Sequence, residues 1–518
     1  MAITDFFDRG VLLNRNGCAF VLDELRWSYA EAHEITCKIG HALLGLGLPK
    51  ETKAAVLSAN HPLSWMCVLG LWRAGCTWVP VNPRSSLEEQ EQLLDGFDVE
   101  VLFFQSYFSQ SVEQLRAKCP KLKHLICIDG VAPGSSTLAS WIADQPVDPP
   151  RHLCEPDDLA AIMPTGGTTG IPKGVMLTHR NLGVSIGYSI QSAHYAPQEN
   201  IVNLAAAPMT HSAGFLSLPA SARGGTVVVL TKPDPGALLN AIEAHGVTEF
   251  FLPPTVIYRL LETPGIERRN FSSMRYFMYG AAPMSVGKLK QALKVFGPVM
   301  FQGYGQTEAP GGIAVLRPGD HFENGEVASD NRLSACGLPS PFNTLAIMDF
   351  DGNALAQGQS GEICVRGDIV MKGYYKQPDK TAETIRNGWL HTGDIGHLDH
   401  QGFLHITDRQ RDVIITGGFN VYPSEIEQVI WTHPAVVDCA VVGVPDDKWG
   451  EAVKAVVEVK PNAQVTAEEI IALCKEKLGS VKAPKSVDFL NSLPRSPVGK
   501  VIKKVLRDSY WQEANRHI

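Results

Sequence analysis

The 518-residue chain contains no C-x-x-C pair; its 11 cysteines are scattered and odd in number. A disulfide framework and a zinc site are therefore not expected, and reduced thiols in a reducing compartment are. Basic charge is also scarce. Lys and Arg number 46 against 54 Asp and Glu, giving a formal net charge of -8 and a pI near 6.1, whereas a nucleic-acid binder would carry the opposite footprint. No apolar run approaches the ~20 residues of a membrane span; the best, residues 64–72, ends against Arg73. The opening MAITDFFDRG holds acidic groups and no apolar stretch of a secretory signal, and the closing Arg-His-Ile is no peroxisomal address. Internal repeats and low-complexity linkers are missing too. These absences predict a cytoplasmic protein with no integral membrane segment and no nucleic-acid partner.

What the chain does have is length and glycine. At 518 residues it exceeds one core, so two or more domains are expected; 44% hydrophobic and 19% charged residues form an ordinary globular balance. Through the first two thirds, apolar β-rich runs alternate with helical patterns: AAVLSAN at 54–60, LAAIMP at 159–164, GTVVVL at 225–230, EFFLPP at 249–254. Runs apolar at nearly every position read as strands buried on both faces, hence parallel sheets covered by helices and an α/β fold. From 361 to 373 a glycine-dense alternating pattern predicts an antiparallel or barrel-like subdomain. After Arg409 the texture changes to DVIIT, a Gly-Gly turn, a helix opened by Pro423, and strands DCAVVGV and EAVKAVVEV: a compact α+β module of about a hundred residues.

The densest local signal is MPTGGTTGIPKG at 163–174. Glycines let backbone amides turn toward an anion without a Cβ in the way, Thr165, Thr168 and Thr169 add hydroxyls, and Lys173 adds positive charge. The pattern suits a phosphate cradle, with ATP as the guest. A Walker loop would need Gly-Lys followed by Ser or Thr, and Lys173 instead lies between Pro172 and Gly174. The G-x-G-x-x-G spacing of a dinucleotide fold is missing as well.

These residues resemble the signature loop of the adenylate-forming superfamily, which includes acyl-CoA synthetases. The later motifs of that superfamily follow in order: YGQTE at 304–308, HTGD at 391–394, DRQRDVIITGGFNVYP at 408–423 and PRSPVGK at 494–500. The resemblance implies a carboxylate attacking the α-phosphate of ATP, then thiol attack on the acyl adenylate. It assigns Thr165, Gly166, Gly167, Thr168, Thr169, Gly170 and Lys173 to the phosphates, and Glu308 with Thr168 to Mg²⁺. Gly280, Ala281, Ala282 and Pro283 would run along the adenine, with Tyr304 stacked on it between Gly303 and Gly305 and beside Thr307. Asp394 would accept both ribose hydroxyls, with Arg409 adding a donor. Lys500 would neutralise charge at the α-phosphate. Helical spacing puts Lys503, Lys504 and Arg507 on one solvated face beyond it.

By motif matching, His211 stands at the mouth of an acyl pocket lined by Ala213, Ser217, Met278, Ala281, Gly303, Gly305, Gly311 and Gly312. No charge and several glycines imply a roomy, apolar cavity for a medium or long fatty acid or a bulky aryl or alicyclic acid; PMTHSAGF contains no acid to hold an α-amino group. Gly417, Gly418, Phe419 and Asn420 would pass the pantetheine of coenzyme A, and Arg411 would be the hinge. The domains expected are an adenylating domain at 1–408, a hinge at 409–411 and a small mobile lid at 412–518. The partners are then small molecules, with a homodimer left open; a carrier-protein thiol is the alternative acceptor. Two departures from the family stand out: Pro164-Thr165-Gly166-Gly167 in place of Tyr-Thr-Ser-Gly, and Arg411 in place of a lysine or aspartate.

Overall fold

A computed structural model describes the chain except residues 152–153, 166–171, 233, 350, 410–411, 418, 447, 462, 496–500 and 514–518, and except the side chains of His211, Ser212, Asn420, Gln512 and Glu513. Helix starts follow local chemistry. Ser28 accepts the amide of Glu31 while Glu31 accepts the amide of Ser28, a reciprocal cap that opens the helix Tyr29–Leu44; Thr466 and Glu469 do the same for Ala467–Lys482.

The runs read as buried strands form two large sheets. One has eight strands with a parallel centre, where Lys53–Leu57 lies between Thr77–Pro80 and Val99–Phe104. The other has nine, its parallel centre made by Thr226–Val229, Val202–Ala205, Glu249–Leu252, Tyr276–Gly280 and Met300–Gln306. Antiparallel strands close the edges. The apolar run that was the best membrane candidate is part of the helix Pro62–Arg73, which belongs to the core. Its Trp65 and Trp72 meet Trp78 edge-on, with ring centroids 5.6–5.8 Å apart. Among the described residues no helix is long and apolar enough to cross a membrane.

A third, antiparallel sheet of five strands forms a half-barrel from Thr344–Met348 to Leu404–Arg409. Beyond it the C-terminal module folds around its own core of Ile414, Ile426, Val441 and Val457. The strand Leu404–Arg409 meets that module directly: Asp408 Oδ2 accepts the amide of Ser424 at 2.8 Å.

Candidate active site

The stretch expected to cradle phosphate is flanked by two antiparallel strands. Leu159–Thr165 runs antiparallel to Lys173–Thr178, with Thr165 opposite Lys173 and Pro164 opposite Gly174. Gly166, Gly167, Thr168, Thr169 and Gly170 lie outside the described residues. Thr165 Oγ1 donates to the Lys173 carbonyl at 3.4 Å. Lys173 Nζ sits 4.8 Å from the centre of the Tyr374 ring, a cation–π contact. The Tyr374 hydroxyl donates to Glu308 Oε1 at 2.8 Å, and burial together with that carboxylate pushes its pKa up. Tyr374 therefore bridges the lysine of the cradle to the carboxylate expected to hold metal. Sequence reading missed it because its strand, Gly373–Tyr374, reaches this place only by pairing with Val175 and Met176.

The segment expected to run along the adenine follows two glycines set side by side. Tyr276–Gly280 and Met300–Gln306 are parallel with Gly280 opposite Gly303, and a Cβ on Gly280 would lie 2.4 Å from the Gly303 carbonyl oxygen. The chain then turns through Ala281 in the left-handed region, φ +64°, a conformation that costs a residue with a Cβ about 1–2 kcal/mol. Ala282 is half-buried and Pro283 exposed beyond it. Gly305 abuts the amide of Gly311, and Gly312 leaves room for Tyr188.

Tyr304, Asp394 and Arg409 converge. Asp394 is 5% exposed; its Oδ2 accepts the Tyr304 hydroxyl at 2.7 Å and its Oδ1 faces Arg409 Nε at 3.3 Å. Antiparallel register puts Asp394 opposite Arg409. Burial, with Asp394 alongside, raises the Tyr304 hydroxyl far above its ordinary pKa. Glu362 fixes the turn before Asp394: it accepts the amide of Gly393 at 3.0 Å and pairs with His391 Nδ1 at 2.7 Å. Gln306 ties this turn to the central sheet through the Thr392 carbonyl at 3.4 Å, and Thr307 is half-buried beside it.

Below the Gly280–Gly303 rung, one face of the central sheet borders a cavity that Met278 and Phe251 help to line. A side chain at Gly303 would enter open space. Phe251, Met278 and Tyr276, on that face, are half-buried, whereas Phe250, Leu252, Phe277 and Tyr279 on the other face are buried. The enclosed part is lined by Ala205, Ala213, Leu216, Phe251 and Met278 and measures about 10 Å³, roughly the room of one water. Ser217 is fully buried, its hydroxyl donating to the Gly214 carbonyl at 2.7 Å. Gly311 adopts φ +67° with Ser185 against it. The side chain of His211 lies outside the described residues, but the turn Met209–Ala213 that carries it is pinned by Asn60. Asn60 donates to the Ala207 and Leu230 carbonyls and accepts the Met209 amide at 2.7 Å.

In the C-terminal module, Gly417 takes φ +57° with the Trp449 ring against it, and Phe419 is exposed at 61%. Gly418, Arg411, Lys500 and the side chain of Asn420 lie outside the described residues. Lys503 is not on a solvated face: its side chain is 22% exposed and its Nζ lies 2.7 Å from Glu427 Oε1. Burial alone would lower its pKa, but Glu427 and then Asp408 outweigh that and raise it, keeping the ammonium charged. Helical period placed Lys503 correctly on its helix; it could not show the carboxylates packed opposite.

The family described as AMP-binding enzyme matches residues 9–375, and the AMP-binding enzyme C-terminal domain matches 425–500. The chain is 36% identical over 492 residues to a medium/long-chain-fatty-acid–CoA ligase of Mycobacterium tuberculosis, covering 92% of this chain and 84% of that one. It is 35% identical over 482 residues to a feruloyl-CoA synthase of an Amycolatopsis species, covering 93% of each. The fold is also similar to ATP-bound MatB from Rhodopseudomonas palustris, with a TM-score of 0.88, 28% identity and full coverage of both chains.

Proposed function

Because the chain belongs to the AMP-binding enzyme family, as an adenylate-forming acid–thiol ligase of the acyl-CoA synthetase kind, we propose that it converts a carboxylic acid, ATP and coenzyme A into an acyl-CoA thioester, AMP and pyrophosphate. The observation that carries this reading is the buried Asp394 carboxylate, oriented by Tyr304 and Arg409 within one cleft. Each carboxylate oxygen has one donor and room to accept a ribose hydroxyl. Tyr304, with its hydroxyl so committed, offers its ring to the adenine beside the glycines.

The first step brings an anion to an anion, so its barrier is largely electrostatic. Lys173 and the amides of its hairpin would hold the β and γ phosphates. Glu308 Oε2 is not used by Tyr374, and Glu308 and Thr168 are the residues that would supply hard oxygen donors to Mg²⁺, which would neutralise phosphate charge. Lys500 would bridge the substrate carboxylate and the α-phosphate, and His211 would stand between carboxylate and thiol. The carboxylate oxygen forms a bond to the α-phosphorus as pyrophosphate leaves; the thiol sulfur then attacks the acyl carbon and AMP leaves. The second step needs room for pantetheine, supplied by exchanging Lys500 for the turn at Gly417, Gly418, Phe419 and Asn420. We place the boundary of the adenylating domain at residue 408, the hinge at 409–411 about Arg411, and the lid at 412–518.

A panel of carboxylates with ATP, Mg²⁺ and CoA, followed for pyrophosphate and thioester together, tests the reading. Acid-dependent release of both is expected, with Lys500→Ala losing pyrophosphate release. Pyrophosphate without thioester, restored by a phosphopantetheinyl carrier protein, would move the acceptor from CoA to the carrier.

A further inference from the structure

The acyl cleft has a polar floor. On the face of the sheet that carries the cleft, side chains recur every second residue, so the strands stack into rungs. The first rung is Gly280 and Gly303; the second is Met278 with Phe301 and Phe251; the third is Tyr276 with Glu249 and Asn203. Going down, the rungs change from open to apolar to polar.

The third rung is tightly built. Glu249 is 1% exposed, and both its oxygens are engaged: Asn203 Nδ2 donates to Oε1 at 3.0 Å and the Tyr195 hydroxyl to Oε2 at 2.9 Å. The Arg223 guanidinium lies 5.2 Å from the Tyr195 ring. Tyr276 turns its hydroxyl away to the His194 carbonyl at 2.7 Å. Asn203 is the member of this rung that also lines the cavity. Asn203 turns Nδ2 toward the acid, which leaves its Oδ1 and second N–H not committed to Glu249.

We infer that Asn203 reads the far end of the substrate, and that the acid this enzyme activates is compact and carries a neutral hydrogen-bonding group, of hydroxyl type, opposite its carboxylate. The inference rests on the ligase reading above. Four residues of strand separate the first rung from the third, about 13 Å at ~3.3 Å each, and Asn203 stands two strands across from Gly280, about 10 Å at ~4.8 Å each, so about 16 Å lies between them. Subtracting about 3.5 Å of van der Waals clearance at the glycines and about 3 Å for a hydrogen bond to Asn203 leaves roughly 10 Å. A hydroxylated aromatic ring bearing its acid on a short unsaturated arm has that length. A long alkyl chain would have to break the Glu249 network. Met278, unbranched and flexible, is the side chain that can swing aside to admit a ring. A site built to hydrogen-bond a hydroxyl rejects the analogue without it, because its own polar groups are then left unpaired.

The test uses the full-length enzyme with 4-hydroxycinnamate, cinnamate, 8-hydroxyoctanoate, octanoate and hexadecanoate. Pyrophosphate release is measured with ATP and Mg²⁺, and binding of the two cinnamates is measured by calorimetry. Each hydroxylated acid is expected to exceed its parent by about tenfold or more in kcat/KM, the scale of one buried hydrogen bond. Asn203→Leu should erase that margin while leaving cinnamate within a few fold. The double variant Asn203→Leu/Glu249→Leu, which leaves no buried acid unpaired, should do the same if the single variant folds poorly. Equal use of hydroxylated and parent acids by the wild type, a preference for hexadecanoate, or a uniform loss across all acids in the variants would overturn the assignment. If no acid releases pyrophosphate, the ligase reading fails, while tighter binding of 4-hydroxycinnamate than of cinnamate, lost in the variants, would still uphold Asn203.

Discussion

Asp394 and Glu249 are both buried carboxylates on the nine-stranded sheet or against it, and they are held in opposite ways. At the end proposed to hold the nucleotide, Asp394 faces a guanidinium at 3.3 Å and a phenol at 2.7 Å. At the deep end of the cleft, Glu249 has a phenol and an amide but no cation within ion-pair distance among the described residues, and burial raises its pKa. The first arrangement keeps a charge ready for a partner. The second keeps a hydrogen-bonding acid out of water and uses it to orient a neighbour. On the reading proposed above, the end of the cleft that meets the nucleotide relies on ion pairing and the end that meets the far part of the acid on uncharged polar contacts.

The contrast is breakable. Asp394→Ala should lower kcat/KM for ATP by about 100-fold, since two charged-group hydrogen bonds of about 1.5 kcal/mol each would be lost; a loss of under threefold in initial rates would remove Asp394 from the ribose. Lys503→Met strands Glu427 and Asp408 without their cation, and breaking such a pair costs about 3–5 kcal/mol. The C-terminal module should then melt before the rest, visible as a separate calorimetric transition. Tyr374→Phe removes the donor on Glu308 but keeps the ring under Lys173, so KM for Mg·ATP should rise about tenfold at nearly constant kcat.

Glu249→Gln probes the other side through pH. An acid that holds its proton more tightly when folded destabilises the fold as pH rises past its unfolded value, here 4.5. The variant should melt higher than wild type at pH 7, and the advantage should vanish at pH 4. A gain at both would mean that Glu249 is ionised without penalty. The smallest effect is expected at Ala281, where Ala281→Gly relieves left-handed strain of about 1 kcal/mol against the entropy glycine adds to the unfolded chain. Chemical denaturation should move by no more than that.

That Tyr304, Asp394 and Arg409 would meet was legible in the sequence, because the motifs restrict residue type at short range: glycines at 280 and 303, an acid after Thr-Gly at 394, an arginine closing a strand at 409. Strands, too, were readable, since Ala54 to Leu57 and Thr226 to Val229 are apolar at nearly every position. The floor of the cleft was not. Glu249 looked like the first residue of a buried strand, and its partners Asn203 and Tyr195 come from segments 46 and 54 residues away, joined only by sheet register and a turn. Lys503 shows the same limit, for periodicity names a face and not its neighbour. The glycine-rich stretch read as a candidate cradle, yet nothing local showed that the segments on either side of it pair as antiparallel strands.

The interleaving of faces on Glu249–Leu252 and Tyr276–Gly280 has a consequence for how such a cleft is retuned. Phe250 and Phe277 stack with centroids 4.3 Å apart in the core behind the sheet, while their immediate neighbours Phe251 and Met278 form the cleft wall. Sliding either strand by one residue would swap wall for core along its whole length. Depth in this architecture is therefore notched like a gauge, in steps of about 6.6 Å. A designer or a lineage wanting a longer guest must move polarity from one notch to the next, since the half-step between them belongs to the core.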